Sequence, residues 1–282
     1  MLKASPRFDS AYFNLGMVSL HENRLEEAID RFRSAIRINP RNDKALVNLG
    51  IALARQGHAE EAIAQYRQAL AVAPDNPYAH NALGRSLMER HQLDEALAHY
   101  LAAIAIQPDL AAAYENLGVM LLMEGRLSEA AVQLAQSVRF QPGDLEAHFN
   151  LALVLAQLGL TAEAIQHYRA VLRLDAQNQQ ALQKLAWLLA TGPDPHLRDA
   201  SEALRLATES TQLAPKDPLA WDTQAAALAE AGRYAEAVTA ATKALSLATN
   251  EQKNLAQQIQ TRLHLYQSDV AYHQSPSTTP RP

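Results

Sequence analysis

The sequence predicts an all-α fold, an α-solenoid of stacked helix-turn-helix repeats. A Glu-Ala pair recurs seven times, and five of these pairs follow one another at intervals of 34 residues. The alanines of the pairs are Ala28, Ala62, Ala96, Ala130, Ala164, Ala203 and Ala237. Self-similarity at this period is typical of helical repeats that stack around one continuous core. A proline recurs at the end of five repeats, and it ends a helix because it has no amide proton.

Each repeat is counted from the third residue after the position of the proline that closes the preceding one. Residues 9–249 then form seven repeats, each with a helix A followed by a helix B, and residues 1–8 are expected to end a truncated preceding repeat. The repeats span 9–42, 43–76, 77–110, 111–144, 145–178, 179–217 and 218–249. Because residues 1–8 match the end of a repeat, we expect that the chain is the C-terminal part of a longer array or that its start codon is misassigned.

Position 8 of the repeat predicts a close approach between helices A and B. It is glycine in the first four repeats, at Gly16, Gly50, Gly84 and Gly118. A glycine inside a helix costs about 1 kcal/mol relative to alanine, so its recurrence needs a packing reason. We expect the two helix backbones to cross tightly there. Position 24 carries a bulky residue in the first five repeats: Phe32, Tyr66, Tyr100, Leu134 and Tyr168.

Repeat 6 has five extra residues between its helices, around residues 191–199. Gly192, Pro193 and Pro195 predict a longer turn there. Insertions in solenoids fall on one edge, which is often the binding edge. A tolerated surface loop is the alternative, because extra loop length costs little entropy.

The stretch after repeat 7 does not continue the pattern. An apolar stripe at helical spacing runs through Leu255, Ile259, Leu263, Tyr266 and Val270. We therefore expect one amphipathic capping helix over residues 250–273, covering the open end of repeat 7. Residues 274–282, rich in serine, threonine and proline, are expected to be a disordered tail.

Composition excludes several functions. The 282-residue chain has a net charge of −5, no cysteine and no block of lysine and arginine, which argues against nucleic-acid binding and excludes thiolate chemistry. No apolar run approaches the roughly 18 residues that span a membrane, and no secretory signal is recognisable, so we expect a cytoplasmic protein. The ten histidines are scattered, and we interpret them as solvated surface residues. We therefore expect no catalytic residue, no metal site and no cofactor.

At this point the pattern resembles the tetratricopeptide repeat family. The resemblance rests on Leu-Gly at positions 7 and 8, Ala at 20, an aromatic at 24, Ala at 27 and Pro at 32, and it covers residues 9 to about 249. The family tryptophan at position 4 is kept only as Trp221. The resemblance implies a right-handed superhelix of tetratricopeptide repeats whose groove binds a protein or peptide. Residues 185–191 resemble a variant repeat found near the end of many bacterial arrays.

In this family helix A lines the concave groove at positions 2, 5, 6, 9, 12 and 13. Position 6 here carries four asparagines: Asn14, Asn48, Asn116 and Asn150. An asparagine amide both donates and accepts, so it can pair with a guest peptide bond of any sequence. This broken ladder resembles that in the tetratricopeptide arm of the O-linked N-acetylglucosamine transferases. The alternative is that the asparagines hydrogen-bond locally between adjacent repeats.

Positions 5 and 9 add a mixed apolar strip to the candidate peptide-binding groove. Its members are Phe13, Met17, Val47, Ile51, Asn81, Arg85, Glu115, Val119, Phe149 and Leu153. Exposed apolar surface usually marks an interaction site. Some of these side chains are expected instead to pack between neighbouring A helices.

Two hypotheses about function follow. The first is a non-enzymatic scaffold that binds a peptide segment of a partner protein in the groove. The second is the substrate-recognition arm of a larger enzyme, such as a glycosyltransferase, whose catalytic part lies elsewhere. A third idea is self-association through the uncapped N-terminal end.

Overall fold

The structure, a computed structural model, describes residues 7–249 and 251–275. In this part of the chain it has fifteen α-helices, one short 3-10 helix at Pro195–Leu197 and no β-strand. The α-helices are α1 Arg7–His21, α2 Leu25–Ile38, α3 Asp43–Arg55, α4 Ala59–Val72, α5 Pro77–Glu89, α6 Leu93–Ile106, α7 Ala111–Met123, α8 Leu127–Phe140, α9 Leu145–Gln157, α10 Thr161–Leu174, α11 Gln179–Thr191, α12 Ala200–Leu213, α13 Pro218–Glu230, α14 Tyr234–Leu247 and α15 Lys253–Gln267. The odd-numbered helices from α1 to α13 are the A helices of the seven repeats.

The chain divides into two compact bodies. The N-terminal body extends to Glu124 and includes Arg139–Gln141. The C-terminal body contains Gly125–Val138 and continues from Pro142. Helices α1, α3, α5 and α7 are therefore the A helices of the first body, and α9, α11 and α13 are those of the second.

Both ends of the repeat array differ from the sequence-based expectation. Helix α1 begins at Arg7, so Arg7 and Phe8 extend the first A helix, and residues 1–6 lie outside the described residues. Helix α15 spans Lys253–Gln267 and is shorter than the predicted 250–273. Val270 lies beyond this helix and is 47% exposed, so it does not join the apolar stripe. Of the predicted tail, residues 276–282 lie outside the described residues.

Polar caps set where most A helices begin. The side chain of Asn42 accepts a hydrogen bond from the backbone N–H of Ala45 (2.9 Å), and Asn76 caps α5 through the N–H of Ala79 in the same way. Such caps pair backbone donors that a helix start leaves unpaired. The Asn76 amide also donates to the carboxylate of Asp43 (2.7 Å), at the start of its own repeat. Asn76 thereby caps α5 and ties its start to α3, the A helix of the preceding repeat.

The turn from helix A to helix B requires a left-handed backbone at position 15. Gly57 has φ of +90° there, and His91 at the same position has φ of +59°. Glycine adopts this conformation without steric cost, whereas proline fixes φ near −65°. Repeat 6 has Pro193 at this position. Repeat 6 therefore cannot form this short turn, and the insertion with its 3-10 helix connects its two helices instead.

The aromatic ring at position 24 occupies the space that glycine leaves at position 8. A Cβ added to Gly50 would lie 2.4 Å from Cε1 of Tyr66, and one added to Gly16 would lie 2.6 Å from Cε1 of Phe32. Both rings are fully buried. The glycines therefore make room for a ring in these repeats. In repeat 3 the backbone oxygen of Ala96 on α6 also lies 3.2 Å from the Cβ position of Gly84, as a close approach of helices A and B requires. In repeat 7, position 24 is Ala241, and position 8 is alanine as well.

We predict that Gly50→Ala lowers the free energy of unfolding by about 1–2 kcal/mol. Overpacking against the Tyr66 ring costs about 1–3 kcal/mol, which outweighs the gain of up to about 1 kcal/mol in helix propensity. Urea unfolding measures the change. The matched control is Gly143→Ala, where the added Cβ meets nothing within 4 Å, so we expect a change within about 0.5 kcal/mol. A Gly50→Ala protein as stable as the wild type would contradict the packing explanation.

Candidate functional site

The A-helix face is the side of the A helices that carries positions 2, 5, 6, 9, 12 and 13. In the N-terminal body Asn14 is exposed and Met17 is 39% exposed. The other candidates on this part of the face are half-buried: Phe13, Asn48, Ile51, Asn81, Arg85, Glu115, Asn116 and Val119. Val47 is 4% exposed and belongs to the core, so it is not available to a ligand. The remaining side chains form a partly accessible strip of mixed polarity.

Two of the four asparagines form local hydrogen bonds. The Asn116 amide donates to the side-chain oxygen of Asn81 on the preceding A helix (2.9 Å). The Asn48 amide donates to the backbone oxygen of Lys44 in its own helix (2.9 Å). Each bond uses one of the two N–H donors of an asparagine amide. The bond between adjacent repeats therefore exists at Asn116, whereas the bond of Asn48 stays within α3. Both bonds orient an amide on the face without using all its hydrogen-bonding groups.

Two phenylalanines at position 5 are anchored to the core. The ring centroids of Phe13 and Phe32 lie 5.9 Å apart, and those of Phe149 and Tyr168 lie 5.6 Å apart. Aromatic pairs at such distances stabilise one another beyond the area they bury. Because the partner rings are buried, the half-buried phenylalanines are held in fixed positions on the face.

The C-terminal body brings two predicted residues together in a cleft of about 390 Å³. Phe149 and Asn150 line it together with Asn178 at the end of the same repeat and Gln180 in the next repeat. A ring beside several amides can accommodate an extended peptide, because the amides pair with its backbone while the ring contacts a side chain. Leu153 is half-buried one turn farther along α9.

A buried ion pair lies on the A-helix face of repeats 6 and 7, outside the predicted set. Arg262 on α15 donates two hydrogen bonds to the carboxylate of Asp222 on α13, at 3.0 and 2.6 Å. Their side chains are only 8% and 3% exposed. The Arg262 guanidinium also lies 5.1 Å from the ring centroid of Trp187, a cation–π contact. Burial raises the pKa of Asp222, and the charge of Arg262 opposes that rise.

This pair fixes α15 against α13. Losing one partner of a buried pair typically costs about 3–5 kcal/mol, because the other charge is left buried alone. Beside the pair lies a cleft of about 250 Å³, lined by Trp187, Lys184, Leu219 and Gln258 among others. Positions 2, 5, 6 and 9 of the face thus meet the capping helix here.

Three sequence models of tetratricopeptide repeats match the chain, at residues 19–86, 84–125 and 134–180, which together span more than half of it. The chain belongs to the tetratricopeptide repeat family. Its all-helical structure agrees with that of solved solenoids of these repeats. No curated protein matches the chain significantly.

Solved structures show the same fold at low sequence identity. The structure of pilF from Pseudomonas aeruginosa is 24% identical, with a TM-score of 0.69, over 78% of this chain and 97% of that one. A chain of the Cut9–Hcn1 hetero-tetramer of APC/C is 18% identical, with a TM-score of 0.66, over 79% of this chain and 43% of that one. YrrB, a tetratricopeptide protein described as having an unusual peptide-binding site, is 23% identical, with a TM-score of 0.54, over 67% and 95%.

Neither a membrane span nor a metal cluster occurs in the described residues. None of the described helices combines the length and apolar character needed to cross a bilayer. The same residues contain no group of three or more histidine, aspartate or glutamate side chains arranged to hold a metal ion.

In repeats 3, 4, 5 and 7 the side chain at position 4 hydrogen-bonds to the carbonyl of the proline that closes the preceding repeat. The indole N–H of Trp221 donates to the carbonyl of Pro215 (2.9 Å), and the Tyr114 hydroxyl donates to that of Pro108 (3.1 Å). His80 fills the same role, with Nε2 3.0 Å from the Pro74 carbonyl. A carbonyl only accepts, so Nε2 of His80 carries the proton. Histidine thus replaces the family tryptophan as a donor.

Four histidines form two partly buried pairs, so the interpretation of the histidines as solvated surface residues is wrong for them. Nδ1 of His80 lies 2.8 Å from Nδ1 of His99, and His148 and His167 repeat the contact at 2.9 Å. Burial lowers the pKa of His99 and of His167, and the neighbouring histidine lowers each further. Around His99, Glu95 raises the pKa and Arg67 lowers it slightly. Burial and the neighbouring imidazole therefore both favour the neutral form of His99 and of His167.

We predict that the protein loses stability as the pH falls through the range just below 6.5, the ordinary pKa of histidine. The pKa values of His99 and His167 are lower in the folded state, so the unfolded chain binds more protons in this range. Urea unfolding between pH 7.5 and 5.5 measures the slope, above the range in which most carboxylates titrate. The variant His99→Gln/His167→Gln is expected to show a shallower slope. Identical slopes in the two proteins would contradict this explanation.

Proposed function

We propose that the protein is a non-enzymatic interaction scaffold that binds an extended peptide segment of a partner protein on its A-helix face, in the cytoplasm. The observation that carries the proposal is the recurrence of amides and partly exposed apolar side chains at fixed positions of successive A helices. In the N-terminal body these include Asn14, Asn48 and Asn116 together with Met17. In the C-terminal body Phe149 and Asn150 share one cleft.

The chemistry of the face suits a peptide backbone. Amides pair with peptide N–H and C=O groups whatever the guest sequence, and the apolar residues between them supply contact area. Side chains already held by local bonds, such as Asn116, lose little conformational freedom on binding. No observation favours the alternative of a recognition arm of a larger enzyme, so we do not propose it.

Self-association is a second candidate for the N-terminal end. Phe8, Leu15 and Val18 are 61%, 51% and 51% exposed, which is unusual for large apolar side chains on one helix. An apolar surface of this kind suits contact with a second copy, and this stays a prediction.

We predict that Asn48→Ala/Asn116→Ala weakens binding of a groove peptide about 5- to 100-fold. Two hydrogen bonds worth about 0.5–1.5 kcal/mol each give a loss of this size. The probe is a twelve-residue peptide selected on the wild-type protein from a random display library, and fluorescence anisotropy measures its affinity.

The matched control is Asn254→Ala, which removes an exposed asparagine from α15. It should bind the peptide as the wild type does, and all three proteins should have the same helix content by circular dichroism. Unchanged affinity in the double variant would refute the role of the asparagines.

A further inference from the structure

The chain reverses direction after α15 and returns to the A helices. Asp269 has φ of +57°, and the N–H of Val270 donates to the carbonyl of Leu265 (3.0 Å), which closes the end of the helix. Residues 270–275 then run without helical structure. We call this segment the C-terminal strap.

Three kinds of contact hold the strap. The Tyr272 ring lies 6.0 Å from the Trp187 ring, centroid to centroid, and 5.5 Å from the Arg262 guanidinium. Nε2 of His273 lies 2.7 Å from Oε2 of Glu230. The backbone N–H of Gln274 donates to the carbonyl of Thr191 (2.7 Å). An aromatic side chain, a basic side chain and a backbone amide in succession are therefore each bound by a separate partner.

These partners belong to the A-helix face. Trp187 and Thr191 occupy positions 9 and 13 of repeat 6, and Glu230 occupies position 13 of repeat 7. The strap thus covers, in the last two repeats, the same positions that we propose as a peptide surface elsewhere. It is a peptide bound in cis, and its contacts show which chemistry this part of the face recognises.

The insertion of repeat 6 completes the site. Arg198 at its end donates to Oε1 of Glu230 (2.8 Å) and to the carbonyl of Gly192 (3.0 Å). The side chains of Arg198 and Glu230 are 17% and 15% exposed. One oxygen of the carboxylate is therefore paired with a fixed cation, and the other faces His273. Through Arg198, the insertion therefore positions the carboxylate of Glu230 to bind one basic group.

We propose that this surface is a peptide-binding site whose occupant in the free protein is the strap, and whose partner is a protein segment with an aromatic residue followed by lysine or arginine. The aromatic residue would replace Tyr272 on Trp187 and Arg262, and the lysine or arginine would replace His273 on Glu230. Lysine and arginine are charged throughout the physiological range, so such a segment competes with the strap for the carboxylate of Glu230. This inference rests on the proposed function, because it assigns a ligand class to one part of the same face.

The test uses an acetylated, fluorescein-labelled peptide with the sequence of residues 268–275 and lysine in place of His273. It is titrated at pH 7.5 into the full-length wild type and into the full-length Tyr272→Ala/His273→Ala variant, whose strap has lost both side-chain contacts. We expect the variant to bind the peptide at least tenfold more tightly than the wild type. Adding Glu230→Gln to the variant should remove most of this binding. Circular dichroism checks that each protein is folded.

The matched control is Tyr78→Ala/His21→Ala, which removes an exposed tyrosine and an exposed histidine far from the strap in sequence. It should bind the peptide as weakly as the wild type. Equal affinity for wild type and strap variant, absence of binding to both, or binding that survives Glu230→Gln would each overturn the proposal. A dimer of the wild type by sedimentation that dissociates in the strap variant would overturn the assigned partner in favour of strap exchange between two copies.

The outcomes separate this inference from the proposed function. If the strap variants change nothing while Asn48→Ala/Asn116→Ala weakens its selected peptide, the scaffold function stands and the strap site falls. If neither set of variants changes any affinity, both proposals fall.

Discussion

The structure depends on one repeated contact, a large ring at position 24 of helix B set against a residue without bulk at position 8 of helix A. At Gly50 even a single added carbon would come within 2.4 Å of the Tyr66 ring. The contact fixes the spacing of the two helices in its repeat. Since it recurs with the 34-residue period in the N-terminal body, the A helices there present the same positions to one face. A binding surface can then be formed by residues at the same position of successive repeats, without a compact sequence motif.

The sequence predicts the regular part of this fold because the same local constraints recur. Six A helices begin at the first residue of a predicted repeat. A closing proline precedes five of these starts, and a capping side chain such as Asn42 or Asn178 marks most of them. The period also predicts where repeat 6 has its insertion. The cause of the insertion is visible only in the backbone, because the short turn requires a left-handed residue where Pro193 stands. The end of α15 was not predictable from its apolar stripe. It depends on the left-handed Asp269 and on contacts of the strap with residues far away in sequence.

The candidate site was predictable in its positions and less so in its contacts. The phase of the asparagines places Asn116 on the A-helix face, but its bond to Asn81 depends on side-chain rotamers that a sequence does not specify. Val47 shares its position with half-buried residues such as Phe13 and Asn81, yet Val47 itself is buried in the core. The histidine pairs carried a usable signal, since His80 and His148 occupy one position and His99 and His167 another.

The last two repeats differ from the others in what lies on their A-helix face. Asp222 and Arg262 fix the capping helix there, and the strap behind it is bound through a ring, a base and a backbone amide. This part of the face is therefore occupied by the chain itself in the free protein. Amide hydrogen exchange of the full-length protein, followed at Gln274 by NMR, tests this claim most directly. Exchange that is slow in the wild type and fast in Tyr272→Ala is the predicted result, and exchange in the wild type at the rate of an unstructured peptide would contradict the account.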